Sequence, residues 1–181
     1  ATWEKISETV VSGSSTQNVI LSGIPLSYKD LCIIALVKTT DTNSAGQSGL
    51  DIEFQNSIQG GLSGAPGQIG MQYGSSTPYN YLYGARTNIP TYVPNNASSY
   101  TGVGPQWLMI YDYSSTTVAK NVWLFNGITG QHTQNNNNSF QAWRGPFNNG
   151  SNSPLDYFVF KSQAGIYYLP NSSFSVYGIN G

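Results

Sequence analysis

Apolar and polar residues alternate along most of this chain with a period of two, in short runs separated by clusters of Gly, Pro, Asn and Ser. Such a pattern sends successive side chains to opposite faces of a strand and marks the turns between strands. It predicts strands over Trp3–Val11, Asn18–Ser22, Leu31–Thr39, Leu50–Gln55, Gly70–Tyr73, Tyr79–Arg86, Trp107–Tyr113, Val118–Phe125, Tyr157–Lys161 and Phe174–Tyr177. Shorter pieces fit at Phe140–Trp143 and Ile166–Leu169. Leu50, Ile52 and Phe54 fall on one face of their run, and Asp51, Glu53 and Gln55 on the other, so a core face backs onto a solvated one. No stretch keeps apolar positions at helical spacing without Gly, Pro or β-branched interruption. The expected fold is therefore all-β, an antiparallel sandwich.

Two segments carry little regular pattern. Ser57–Pro78 holds a glycine-rich stretch from Gln59 to Gly67, and Gly127–Pro154 holds the run Gln134-Asn135-Asn136-Asn137-Asn138. Both read as long loops, each flanked by too few strands to close a core of its own, so they are expected to be excursions from one domain spanning 1–181.

Composition sharpens this picture. Only 8% of the 181 residues are charged, so neutral Ser, Thr, Asn, Gln and Gly must cover the surface. The 13% aromatic content and the recurrent Val/Ile/Leu runs supply the burial that disordered chains lack. Seven Lys and Arg against eight Asp and Glu give a formal charge of -1, without the basic footprint of a nucleic-acid or anionic-membrane binder. The N-terminal residues show no signal-peptide pattern, and the longest apolar run, Leu31–Val37, is too short for a membrane span, so a soluble protein is expected. Cys32 lies inside that run and reads as a buried, inert thiol; as the single cysteine it permits no intrachain disulfide.

Catalytic constellations are hard to assemble. The single histidine, His132, sits in a polar loop with no acid near it in sequence, and reads as a surface residue. Gly61-Leu62-Ser63-Gly64-Ala65 misses the spacing of a nucleophile elbow. Asp112, among apolar neighbours, is the most plausible buried acid, explained as well by structural hydrogen bonding as by catalysis. Asp41-Thr42-Asn43-Ser44-Ala45-Gly46 lacks the ligand spacing of a calcium loop and reads as a turn. One His and one Cys give no zinc or iron–sulfur set. The expectation is a non-enzymatic protein without metal or cofactor.

Aromatics are the remaining resource. Tyr73, Tyr79, Tyr81, Tyr83, Tyr92 and Tyr100 cluster around loops, followed by Trp107, Trp123 and Trp143. Rings between Asn and Ser residues serve as sugar platforms or oligomer contacts, because they bring large area at low entropy cost. Two groups are singled out as binding or assembly residues: Tyr73, Tyr79, Tyr81 and Tyr83 after the glycine-rich loop, and Trp143, Arg144 and Phe147 in the second long segment, where Trp beside Arg is a combination enriched at binding hot spots.

Four segments together resemble a family of bacteriophage virion structural domains found in tail appendages and capsid decorations. They are the opening Trp3-Glu4-Lys5-Ile6 with Thr9-Val10-Val11-Ser12-Gly13; the stretch from Leu21 to Leu31, which is similar to the family's S-G-I-P-x-x-Y-x-x-L entry into a core strand; Ile110 to Lys120, similar to its central hairpin; and Phe174 to Ile179, similar to its closing strand. The matches run from the first residues to the last, and none is catalytic. The chain departs from the family pattern at Ser57–Pro78 and Asn135–Pro154, which are longer and richer in Gly and Asn.

This resemblance implies a jelly-roll-like sandwich on the outer surface of a virion, made in the host cytoplasm. With no shaft or anchoring segment in the chain, it implies a decoration or cement protein that binds the major capsid protein, stabilises the shell and associates with itself, as a trimer matched to three-fold shell positions. The alternative it leaves open is a tail-fibre or appendage domain that binds a receptor or host surface glycan.

Overall fold

The computed structural model describes residues 1–13, 16–42, 47–56, 60–61, 67–72, 79–82, 88–94, 96, 103–128, 139–147 and 154–181. Thirteen strands cross these residues: β1 Thr2–Val10, β2 Asn18–Ser22, β3 Asp30–Val37, β4 Gln47–Asn56, β5 Gly60–Gly61, β6 Gly67–Gln72, β7 Tyr79–Leu82, β8 Asn88–Pro94, β9 Gly104–Tyr111, β10 Lys120–Ile128, β11 Ser139–Phe147, β12 Tyr157–Ser162 and β13 Ser173–Asn180. No helix occurs among the described residues, as the absence of helical periodicity predicted. One sheet has the order β1-β13-β3-β9-β10-β11-β6-β7; the other runs β2-β12-β4, with β5 and β8 both pairing with β4. All the pairings are antiparallel. The chain alternates between sheets from β1 through β4 and returns by the same alternation through β9, β12 and β13.

The core forms where the two inner faces meet. Leu31, Ile33, Ala35, Val37, Leu108, Ile110, Val122, Leu124, Phe174 and Val176 come from the larger sheet, against Val19, Leu21, Leu50, Ile52, Val93, Phe158 and Phe160 from the smaller. Phe160 meets Phe174 edge-on at 5.1 Å between ring centroids, and Tyr168 meets the same ring at 5.3 Å, so aromatic contacts join the sheets.

Several expected elements came out differently, each for a physical reason. β5 lies within a segment read as a long loop, and β6 and β11 lengthen the short pieces expected at Gly70–Tyr73 and Phe140–Trp143, extending the larger sheet beyond β10 instead of leaving it. Their Gly, Gln and Ser residues blur the alternation without preventing backbone pairing. β8 was not expected at all, because Pro90 and Pro94 interrupt it; its pairing with β4 alone is the edge position that tolerates missing N–H donors. Ile166–Leu169 supplies one bridge, Tyr168 to Thr39, and no strand. Residues 112–119 form the turn between β9 and β10, which delays β10 to Lys120.

The segment Gly23–Lys29 closes one end of the sandwich. Gly23 starts it with φ +68°, a left-handed conformation that suits glycine. The Tyr28 ring then lies on β13 over Gly178, where a Cβ would meet ring carbons at 2.4 Å. Its hydroxyl bonds Glu4 on β1, the residue paired with Gly178, and this partner together with burial raises the phenol above its ordinary pKa. Gly178→Ala is expected to destabilise the fold by about 1–3 kcal/mol through overpacking against this ring, whereas Gly13→Ala, with open space around it, should stay within about 0.5 kcal/mol of the parent. Chemical denaturation of the two variants checks the contrast.

Candidate interaction surface

Each strand of the larger sheet sends alternate residues away from the core, and on β3, β9 and β10 these outward positions are Cys32, Ile34, Leu36, Pro105, Trp107, Met109, Tyr111, Asn121, Trp123 and Phe125. None is charged. The register aligns Ser175, Ile34, Trp107 and Phe125 in one row across β13, β3, β9 and β10, and Tyr177, Cys32, Met109 and Trp123 in the next. Trp107 is 48% exposed, Leu36 40% and Tyr111 38%, while on β1 Trp3 and Val10 are also exposed. Ring contacts tie the surface together: Trp123 lies 5.9 Å from Phe125, and Trp3 lies 6.3 Å from Tyr177. On β3, β9 and β10 the outward face of the larger sheet is thus an apolar and aromatic band.

Charge enters at the edge of this band. On β1, the Lys5 ammonium bonds Glu8 at 2.8 Å, and the Ser175 hydroxyl donates to the same carboxylate at 3.3 Å. Lys5 holds the Glu8 carboxyl below its ordinary pKa.

The residues selected from sequence fall partly together. Tyr73 and Tyr83, like His132, lie outside the described residues. Tyr79 and Tyr81 lie on β7; Trp143, Arg144 and Phe147 lie on β11. Tyr81 pairs with Gln68, and Gln68 with Trp143, so one residue of each group shares a cross-strand row. Tyr79 occupies the next row of the same parity, with Gly70 and Gln141. Arg144 pairs with Trp123, in the alternate set of rows, and Phe147 pairs with Lys120, so Trp143 and Arg144 belong to rows of opposite parity. Trp3, Val10, Leu36, Trp107 and Tyr111 were not selected. The available signal was that β3 and β9 are apolar at successive positions, more than one buried face requires.

The groups weighed for chemistry are structural where they are described. Asp112 is half-buried with φ 53°; its N–H donates to Asp30 Oδ1 at 2.8 Å and its carbonyl accepts from Ser115 N–H at 3.0 Å, the work of a turn residue. Lys120 is buried and donates to the carbonyls of Ser115 and Val118, which cinches the same turn; burial lowers its pKa, opposed by the charge of Asp112. Burial pushes the Cys32 thiol up to about 11, with a Trp107 hydrogen bond opposing, so it stays protonated and inert at neutral pH. Among the described residues no group of three His, Cys, Asp or Glu is placed to hold a metal ion. Comparison with known proteins finds no matching family model, no curated relative and no matching solved structure.

Two buried tyrosines give opposite expectations. The Tyr113 hydroxyl donates to the Pro25 carbonyl, whereas the Tyr168 hydroxyl is buried with no hydrogen-bond partner. Tyr113→Phe is expected to destabilise by about 1 kcal/mol and Tyr168→Phe to stabilise by a similar amount. Burial raises Tyr113 from 10.0 to about 12 and Tyr168 well above 10.0. A raised folded-state pKa stabilises below the unfolded value and loses that contribution as pH rises through the folded one. Stability should therefore fall from pH 10 upward through about 12, and less steeply in either Phe variant, as measured by denaturant titration across this window.

Proposed function

We propose that this protein is a bacteriophage virion surface protein that works by docking and assembly, as a decoration or cement protein on the outer capsid shell. The observation that carries the reading is the outward band on β3, β9 and β10, where Leu36, Trp107 and Tyr111 are exposed on a surface whose one charge, Asp30, lies at its end. Large contiguous apolar patches on a protein surface mark interaction sites, and tryptophan and tyrosine are the residues enriched there. The resemblance of Leu21–Leu31, Ile110–Lys120 and Phe174–Ile179 to virion structural domains adds the setting. So does the strand order, β1-β13-β3-β9 facing β2-β12-β4-β8, which we read as a jelly roll with four strands appended to one sheet. The partners in this reading are the major capsid protein and further copies of the chain, and the location is the virion exterior.

A second reading, a tail-appendage domain that binds host glycans, draws on one specific observation. The register sets Tyr81 and Trp143 in a row with Gln68 between them, a row that continues into Leu124 and Leu108 of the core face, and aromatic and amide residues together suit stacking on and hydrogen bonding to a sugar.

Binding to purified particles separates the two. Trp107→Ser should weaken capsid binding by about 2 kcal/mol, roughly thirtyfold, while Ile20→Ser, an exposed position on the smaller sheet, should leave it unchanged. Cryo-electron microscopy should then place the protein at positions repeated over the shell. Density confined to one tail vertex, or glycan-array binding that Tyr81→Ala abolishes without any capsid binding, would overturn the cement reading in favour of the second.

A further inference from the structure

β1 ends the larger sheet, so one of its edges has no neighbouring strand among the described residues. It is also unusual in burial, since every residue except Ile6 is exposed. Pairing with β13 shows how its residues face. Trp3, Lys5, Glu8 and Val10 lie in rows with Ile179, Tyr177, Ser175 and Ser173, on the outward side. Glu4, Ser7 and Thr9 lie in rows with Gly178, Val176 and Phe174, on the core side. The step from odd to even outward positions comes from a bulge between Lys5 and Ser7, where Ile6 is the extra residue and turns partly onto the core.

From this we propose that β1 pairs antiparallel with β1 of a second copy about a two-fold axis between Ile6 and Ser7, joining two larger sheets into one. Facing residues of an antiparallel pair must lie on the same face. In a regular strand, a two-fold register that sets Lys5 against Glu8 would fail this condition. The bulge shifts the phase by one residue, so Trp3 meets Val10, Lys5 meets Glu8 and Glu4 meets Thr9, each with its partner on the same face. Displacing the register in either direction sets Trp3 against Glu8 or Lys5 against Val10, apolar against charged.

Electrostatics favour the same register. Lys5 and Glu8 already pair at 2.8 Å within one strand, and the two-fold axis brings a second such pair alongside, giving a network of four alternating charges. Bulges and charges on an edge commonly keep foreign strands away. Here both devices are self-complementary, so they exclude other edges while matching a copy of this one. The contact is two-fold, in place of the three-fold association expected from shell symmetry. It does not depend on the capsid reading, because it can form between free molecules.

Charge reversal and cross-linking test the register on the whole 181-residue chain. Analytical ultracentrifugation should find a monomer–dimer equilibrium. Lys5→Glu should weaken the dimer about tenfold, because attraction becomes repulsion at two symmetric positions, and adding Glu8→Lys should restore it. Trp3→Cys combined with Val10→Cys should give a covalent dimer on mild oxidation; within one chain these positions are roughly 23 Å apart along the strand and cannot close on each other. A protein that stays monomeric to about 1 mM, well above the micromolar range of stable association, would overturn the proposal. So would a trimer, a dimer indifferent to both reversals, or a dimer that fails to cross-link. A Lys5→Glu monomer that still binds particles leaves the docking reading standing, whereas Trp107→Ser addresses docking alone.

Discussion

The meeting of Phe160 and Phe174 across the sandwich, with Tyr168 closing on the same ring, fixes which face of each sheet is the inside. On β3 and β9 the sequence alone leaves that choice open. A one-residue slip would exchange Leu31, Ile33 and Ala35 for Cys32, Ile34 and Leu36, a set nearly as apolar. β13 decides it, because Phe174 and Val176 alternate with Ser173 and Ser175, and its pairing with β3 carries that polarity into the middle of the sheet. The apolar band outside is therefore a consequence of the core inside: once Phe174 points inward, Ile34 and Trp107 have to point outward.

The same logic explains how much of the fold could be read from the sequence. β2, β4, β12 and β13 were legible because alternation or bulky β-formers persist between clear turn residues, and Leu50 and Ile52 are buried as their positions in the pattern required. β8 escaped because Pro90 and Pro94 argue against a strand until its edge position is known, and that position is a tertiary fact. β6 and β11 were legible only as the short pieces Gly70–Tyr73 and Phe140–Trp143, because Gly67, Gly70, Gln141 and Gly145 carry no facial preference; their full length is held by the backbone pairing that β10 propagates outward.

The candidate surface was less legible than the fold. Tyrosines near loops attract notice in a sequence because local composition marks them as exposed, whereas Trp107 and Leu36 sit in runs that resemble buried strands on both sides. Their exposure follows from the number of layers, since the described residues build two sheets and nothing that covers the outer one. Trp143 and Arg144 are adjacent along β11 and so belong to rows of opposite parity, the row partner of Trp143 being Gln68 and that of Arg144 being Trp123.

Low charge sets the manner in which such a surface can work. With a formal charge of -1 there is little long-range field to steer a partner or hold it in high dielectric, so binding free energy has to come from desolvating apolar area and from repetition of modest contacts. The outward band supplies the area. The β1 edge, where Trp3 and Val10 are exposed on the outward side of the strand that ends the sheet, supplies a route to repetition. Two chains joined there would present two bands on one continuous sheet, so that whatever one copy docks on, its neighbour meets already oriented. Of the charges at this edge, the outward pair Lys5 and Glu8 then serves to fix register between copies, a task that short-range pairing performs and a net field cannot.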